Sequence, residues 1–237
     1  MTKIFDIKLS IYLIIGFILF TIIGTVSHEL GHYSVAKFLG YNATIDYAHT
    51  NWSNNPDRKK LYNYYEKYKN EIKHNIDFPE KEEYDLLKSK VNKDALIISI
   101  GGPLQTMLTG TLGLVLLFWN RKNYFSSNRL NIKQWLIVFL TLFWLRQLFN
   151  FIHGIIIYII KGNFPSSNDE AGIALVLDIN KFSITVSTAI IAALILIVIV
   201  FKYIPINQRF TFVVSGLIGG LMGFYIWLIA LGPIVMP

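Results

Sequence analysis

Five apolar stretches, each about as long as a bilayer-crossing helix, alternate with polar segments along this chain. The stretches are Leu9–Val26, Ala95–Trp119, Trp135–Ile160, Ile184–Phe201 and Phe212–Val235. A lipid bilayer offers the backbone no water to hydrogen-bond, so such stretches must form helices. The pattern therefore predicts an all-α, polytopic membrane protein with about five transmembrane helices. We interpret residues 1–237 as a single membrane-embedded domain.

The long hydrophilic segment at 41–94 predicts a helical extramembrane insertion within that domain. From Arg58 to about Ile76 the apolar and aromatic positions follow helical spacing, and a second short helix is expected over Pro79–Val91. The spaced residues are Leu61, Tyr64, Tyr65, Tyr68 and Ile72. Two interpretations stay open for the tyrosines: they rest at the membrane interface as a lid, or the segment is a solvated hairpin that only links two helices.

Short basic segments predict how the chain is oriented in the membrane. If five spans alternate, these segments share one side, which should be cytoplasmic. The residues are Lys3, Lys8, Arg121, Lys122, Arg129, Lys133, Lys202 and Arg209. We therefore expect a cytoplasmic N-terminus and the 41–94 loop on the outer face. Abundant Ile, Asn and Lys are typical of an AT-rich bacterial genome, so a bacterial cell membrane is the predicted location.

Composition narrows the possible partners and the possible metal ligands. The chain is 53% hydrophobic with a net charge of +7, and its basic excess lies at the membrane faces. That distribution favours contact with the lipid bilayer and does not indicate nucleic-acid binding. Because the chain contains no cysteine, thiolate metal sites and disulfides are excluded, and any metal must be held by His, Asp or Glu.

The segment His28-Glu29-Leu30-Gly31-His32 continues the first apolar stretch. Two histidines at i and i+4 share a helix face and can bind a single metal ion. Glu29 can reach a water on that metal and take its proton. Such a polar cluster is costly in hydrocarbon, which indicates a functional site.

A catalytic zinc site usually has three protein ligands and an open water position. The remaining candidates are His49, His74, His153, Asp46, Asp169, Glu170 and Asp178. The predicted topology brings the imidazole pair, Gly101–Pro103, Asn150, His153 and Asp169 to one level in the outer half of the membrane. That agreement predicts that these separate stretches form one site.

The third span carries a polar stripe, Arg146, Asn150 and His153, at i, i+4 and i+7. A charge at that depth should face the protein interior or a watery cavity. Arg146 could stabilise an oxyanion, line a water path or pair with a carboxylate for structure. Gly101, Gly102 and Pro103 in the second span are either a packing kink or a break whose backbone binds an extended substrate.

The stretch His28-Glu29-Leu30-Gly31-His32, with Ala36 and Gly40 following, resembles the metal-binding helix of the site-2 protease family of intramembrane zinc metalloproteases. Gly102-Pro103 resembles that family's Gly-Pro-x-x-Asn signature, although Thr106 stands at the asparagine position. Asn168-Asp169-Glu170 is the nearest match to the motif that supplies the family's aspartate ligand.

The resemblance implies one Zn2+ per chain, with Asp169 as the third ligand and Glu170 or His153 as alternatives. The leading hypothesis is a zinc-dependent intramembrane endopeptidase that hydrolyses membrane-associated proteins or peptides, with Glu29 as its general base. Two alternatives stay open: a membrane-embedded zinc protease acting on soluble or secreted peptides, and a non-catalytic metal-binding or transport protein.

Overall fold

A computed structural model describes residues 5–52, 55–165 and 168–237. Lys3, one of the residues used to predict orientation, lies outside the described residues. The described residues are 81% helical with almost no strand, which confirms the all-α prediction. Within the described ranges, five helices are long and apolar enough to cross a membrane. These are Ile7–Phe38, Lys81–Trp119, Ile132–Lys161, Phe182–Tyr203 and Ile206–Val235.

Eleven α-helices are found among the described residues. They are α1 Ile7–Phe38, α2 Pro56–Lys67, α3 Lys69–His74, α4 Lys81–Trp119, α5 Arg121–Ser126, α6 Ile132–Thr141, α7 Leu145–Lys161, α8 Asp169–Val176, α9 Phe182–Val198, α10 Ile206–Phe224 and α11 Gly232–Val235. A 3-10 turn at Leu142–Trp144 joins α6 to α7, and π-helical segments at Ile199–Tyr203 and Tyr225–Leu231 follow α9 and α10. Strands β1 (Thr44–Ile45) and β2 (Thr50–Asn51) form a short antiparallel hairpin.

Helices α1 and α8, which carry the candidate site residues, are each capped at the N-terminus by a polar side chain. The Asp6 carboxylate accepts the backbone N–H of Leu9 and caps α1, which then runs for 32 residues. The Asn168 side chain accepts the N–H of Ala171 at 3.1 Å and caps α8 in the same way. This cap places Asp169 in the first turn of α8, where the helix dipole favours a negative charge.

Helix α1 packs against both α10 and α4, and glycines allow each close approach. At the α10 contact, Gly219 lies against Phe17 and the backbone of Ile14. At the α4 contact, a Cβ added to Gly31 would lie 2.5 Å from the carbonyl oxygen of Gly101. The two helix backbones therefore touch where α1 carries its histidines, which is how small residues bring membrane helices together.

The 41–94 insertion differs from its prediction in two ways. The second short helix expected over Pro79–Val91 is the beginning of α4, which runs from Lys81 into the membrane-spanning segment without interruption. No glycine or proline lies between Lys81 and Ile100, so nothing in that stretch stops the helix. The helix expected from Arg58 to about Ile76 is divided into α2 and α3 at Tyr68.

The insertion's tyrosines bind acidic residues at the start of α4. The Tyr64 hydroxyl donates to the Glu83 carboxylate at 2.6 Å, and the Tyr68 hydroxyl donates to Glu80. Lys60 and Lys67 pair with the same two glutamates. These contacts hold α2 against the beginning of α4, and the position of the tyrosines at the membrane interface stays a prediction.

Candidate metal centre and adjoining cavity

His28 and His32 lie one turn apart on α1 and are 0% and 7% exposed. Their Nε2 atoms face each other at 3.2 Å. Nδ1 of His32 lies 2.7 Å from the carbonyl oxygen of Ile98 on α4. Because a carbonyl can only accept, this 2.7 Å contact favours a proton on Nδ1 over the longer 3.3 Å contact from the Gly102 N–H, and Nε2 then keeps the lone pair that a metal ligand needs.

Asp169 completes a three-donor cluster around this pair. Its Oδ2 atom lies 2.9 Å from Nε2 of His28 and 3.3 Å from Nε2 of His32. Zinc bonds of about 2.0–2.1 Å in a tetrahedron separate neighbouring ligand atoms by about 3.3 Å. The three donors thus have nearly the spacing of three corners of such a tetrahedron, and the residues fit a zinc ion.

The ionisation of Asp169 suits a ligand role. Burial works against a charged carboxylate, but hydrogen bonds with His28 and His32 outweigh it and hold the pKa of Asp169 well below its usual range. Burial instead raises the pKa of the neighbouring Glu170 carboxyl. Asp169 is therefore the more readily ionised carboxyl of the two.

Glu29 is buried beside the same cluster, and ligand atoms of His28, Glu29 and His32 all lie within 4.8 Å of one another. These three residues could therefore hold a metal ion. The Thr50 hydroxyl lies 2.8 Å from the Glu29 carbonyl oxygen and 3.2 Å from carboxylate Oε2. Arg146 Nη2 stands 3.8 Å from Oε1. Because Glu29 faces these two groups while Asp169 contacts both imidazoles, we favour Asp169 as the third donor.

Gly102 has no side chain, and the two imidazole rings lie where one would be. A Cβ added there would lie 2.6 Å from Nε2 of His28 and would also overlap the His32 ring. Gly101, Gly102 and Pro103 are buried, and α4 continues through them, so the helix break considered from the sequence is absent. Their packing against α1 explains these residues, while substrate binding by them stays a prediction.

A cavity of about 410 Å³ adjoins the cluster and reaches the hairpin. The predicted stripe of Arg146, Asn150 and His153 lines it together with Glu29 and Asp169. The remaining lining residues are His32, Ala48, His49, Thr50, Trp52, Ile98, Ser99, Ile157, Pro165 and Asn168. Polar residues from α1, α4, α7 and α8 therefore do meet, and they meet around one space.

The other ligand candidates have different partners. Asn150 Nδ2 donates to both carboxylate oxygens of Glu170, at 3.2 and 3.4 Å. His153 stacks on Phe149 with ring centroids 6.0 Å apart. Among the described residues, neither Glu170 nor His153 forms a hydrogen bond or ion pair with the imidazole pair.

The loop histidines also lie apart from the imidazole pair. His49 is 74% exposed and lies 3.5 Å from Asp46, whereas His74 Nδ1 bonds to the Asn70 carbonyl oxygen. Asp178 follows α8 in the left-handed backbone region, at φ 53°. A solvent-exposed role therefore fits both histidines.

Two features of the site were not predicted from the sequence: Thr50 and the Ile98 carbonyl. A backbone carbonyl has no residue signature, and a threonine in a polar loop is unremarkable. The hairpin that carries Thr50 in β2 is held at its turn by residues much later in the chain. Trp227 Nε1 donates to the Tyr47 carbonyl oxygen at 2.9 Å, and the Tyr47 N–H donates to Met236 at 3.0 Å.

Comparisons with protein-family models, with curated proteins and with solved structures find no match for this chain. The five apolar helices of the described residues indicate a membrane protein, and its buried His28–Glu29–His32 group could hold a metal ion.

Proposed function

We propose that this protein is a zinc-dependent intramembrane endopeptidase of the site-2 protease type. The observation that carries the proposal is the convergence of two imidazole nitrogens and one carboxylate oxygen within 3.3 Å of one another, beside the buried Glu29. The resemblance of the His28–His32 segment to that family's metal-binding helix supports the same assignment.

His28, His32 and Asp169 would hold one zinc ion per chain. When bound, zinc supplies a Lewis acid for a substrate carbonyl and lowers the pKa of water at the site towards about 7. Two neutral imidazoles and one carboxylate match the donor types of catalytic zinc sites.

Glu29 is the general base in this proposal. Its carboxylate takes a proton from water as the water oxygen bonds to the carbonyl carbon of the substrate. The proton then passes to the amide nitrogen as the carbon–nitrogen bond breaks and its electron pair moves to nitrogen. The contact of Thr50 with Oε2 orients the carboxylate for both transfers.

The apolar helices around the site support a membrane-associated substrate. An intact helix hides its carbonyl groups in hydrogen bonds, so the substrate segment must unwind or bind extended beside the cavity. We further propose a multi-pass arrangement in a bacterial cell membrane, with a cytoplasmic N-terminus and residues 41–94 on the outer face. The basic segments between spans support this orientation.

The test is Glu29→Gln in the purified full-length protein. Zinc content measured by elemental analysis should stay near one per chain, while cleavage of a panel of single-span helical substrates falls by about 10²- to 10⁴-fold. Glu82→Gln, an exposed glutamate on α4, serves as the matched control and should cleave as the wild type does. A wild-type protein that binds no zinc, or equal cleavage by Glu29→Gln, would contradict the proposal.

The same preparation separates the alternative functions. Cleavage of a soluble peptide in preference to a tethered span with the same sequence would favour a protease of soluble substrates. Metal transport that survives Glu29→Gln, with no cleavage by the wild type, would favour a transporter, because transport needs no general base.

A further inference from the structure

Arg146 on α7 carries a positive charge within a membrane-spanning segment and lines the cavity beside Glu29. About a quarter of its side chain is exposed, at 27%. A charged arginine side chain within a membrane-spanning segment costs free energy unless it pairs with an acid or faces water, so the position of Arg146 indicates a role. Its nearest acid is Glu29, with Nη2 and Oε1 3.8 Å apart.

That separation is too long for a hydrogen bond, and a structural arginine–carboxylate pair is typically bidentate at about 2.7–2.9 Å. Nε of Arg146 is buried and has no hydrogen-bond partner among the described residues. Other arginines of the chain are bound more closely. Arg209 donates to two backbone carbonyls at 2.7 and 2.9 Å, and Arg129 pairs with Asp6.

Arg146 and Glu29 line the same cavity without a direct hydrogen bond, because 3.8 Å separates Nη2 from Oε1. An acceptor oxygen in the cavity can lie about 2.9 Å from Nη2, a normal hydrogen-bond length, without contacting the Glu29 carboxylate. Glu29 is also within 4.8 Å of the imidazole nitrogens. An oxygen that accepts from Nη2 in the cavity therefore lies near the base and near the candidate metal centre.

We propose that Arg146 is a catalytic residue that donates hydrogen bonds to the carbonyl oxygen of the peptide bond being cleaved. This inference rests on the proposed function. As water adds to the carbonyl carbon, the π electrons of the carbonyl move to its oxygen, and the water proton goes to Glu29. Arg146 stabilises the negative charge that forms on that oxygen, because a fixed donor in a water-poor site acts most strongly where charge develops.

The test compares two peptide probes with identical side chains bound to the zinc-loaded, full-length protein. One carries a tetrahedral, anionic phosphinate in place of the cleaved bond, and the other carries a planar, uncleavable N-methyl amide. Isothermal titration with the wild type, Arg146→Gln, Arg146→Lys and Arg121→Gln gives each Kd, and elemental analysis gives the zinc content. Arg121 stacks on Phe118 at the start of α5 and is the matched control.

Arg146→Gln should bind the phosphinate about 10- to 100-fold more weakly, the range expected for a lost charged hydrogen bond. Its affinity for the planar probe should change by less than about twofold, and its zinc content should be unchanged. Arg146→Lys should lose less, about 3- to 10-fold, because the ammonium keeps the charge but not the planar fork. Arg121→Gln should match the wild type with both probes.

Equal phosphinate affinities in the wild type and Arg146→Gln, with zinc retained, would overturn this inference and leave the proposed function standing. A wild-type protein that takes up no zinc overturns the proposed function and this inference with it. If Arg146→Gln does not fold, Arg146→Lys decides the matter: phosphinate affinity equal to that of the wild type refutes a hydrogen-bonding role for the guanidinium.

Discussion

Helix α1 makes two glycine-mediated contacts that are alike in geometry and different in chemistry. In its first half, Phe17 lies against Gly216 and Gly219 of α10. In its second half, Gly31 meets Gly101 backbone to backbone, and Gly102 lies under the two imidazoles. Both contacts follow the rule that small residues let membrane helices approach closely.

The difference lies in what fills the space beside each glycine. At Gly216 and Gly219 the Phe17 side chain and the Ile14 backbone occupy the α10 contact, so a larger residue there disturbs helix packing without touching the imidazole pair. At the α4 contact the neighbours are imidazole nitrogens, which are held by the Ile98 carbonyl and face Asp169. Glycine therefore allows close helix packing in the first half of α1 and leaves room for the candidate metal centre in the second half.

Gly102→Ala should have the largest effect, because the added methyl group would lie 2.6 Å from Nε2 of His28. We expect zinc binding to be lost, with less than about a tenth of the wild-type zinc content, while the helical circular dichroism spectrum stays the same. Gly24→Ala on α1 is the control, since nothing lies within 4 Å of its added Cβ. Normal zinc content in Gly102→Ala would show that the imidazoles are not the metal ligands.

Asp169→Asn should have the next largest effect, because an amide removes the anionic donor that contacts both histidines. Zinc affinity, measured by competition with a chelator, should fall by more than about 100-fold, since changes one shell further out already cost about 10- to 100-fold. Glu170→Gln is the matched control and should lose less than about tenfold, because Asn150 binds that carboxylate away from the imidazole pair. The reverse order would make Glu170 the ligand.

The two contacts of α1 also illustrate which parts of the fold and of the candidate site can be predicted from the sequence. Apolar length and period predict all five candidate spans, because a bilayer leaves the backbone no alternative to a helix. The candidate metal-binding pair is equally evident from the sequence, since His28 and His32 are four residues apart and therefore share a helix face. The facing stripe of Arg146 and Asn150 followed from the same periodicity, and the structure places both in the cavity.

Other parts of the site depend on contacts far apart in the chain. The spacing of residues alone does not decide whether Asp169 or Glu170 contacts the histidines. Helix α8 directs Asp169 towards the histidines and Glu170 towards Asn150. The contact of Thr50 with Glu29 needs the hairpin that Trp227 holds from 180 residues away. No local pattern reports such packing.

Gly219→Ala tests the other contact of α1. The added Cβ would lie 2.7 Å from Cβ of Phe17 and 2.8 Å from the Ile14 carbonyl oxygen, so the two helices must separate. The free energy of unfolding in detergent should fall by about 1–3 kcal/mol, the usual cost of overpacking. Gly220→Ala, with open space around its added Cβ, should be neutral or stabilising by up to about 1 kcal/mol because alanine favours helix.

Zinc content per folded chain should be unchanged in Gly219→Ala, and this is the measurement that distinguishes the two contacts. Loss of zinc from properly folded Gly219→Ala would mean that the α10 contact also shapes the metal centre. The contact with α10 in the first half of α1 would then not be separate from the candidate metal centre in its second half.

Thr50→Val should have the smallest effect, and that effect should be limited to catalysis by Glu29 in the second half of α1. Valine keeps the shape of threonine but cannot donate to the Glu29 carbonyl or carboxylate. We expect kcat to fall about 3- to 10-fold, with zinc content and KM nearly unchanged, because the hydroxyl proton is shared with the Glu29 carbonyl oxygen and the contact with the carboxylate is long, at 3.2 Å. Thr50→Ser restores the hydroxyl and should recover most of kcat, whereas a role in packing alone would leave serine as impaired as valine or more so.

Thr25→Val is the control variant. It removes a hydroxyl that bonds to the backbone of α1 at Thr21 and should leave kcat unchanged. If Thr25→Val and Thr50→Val reduce kcat equally, the hairpin does not orient the base.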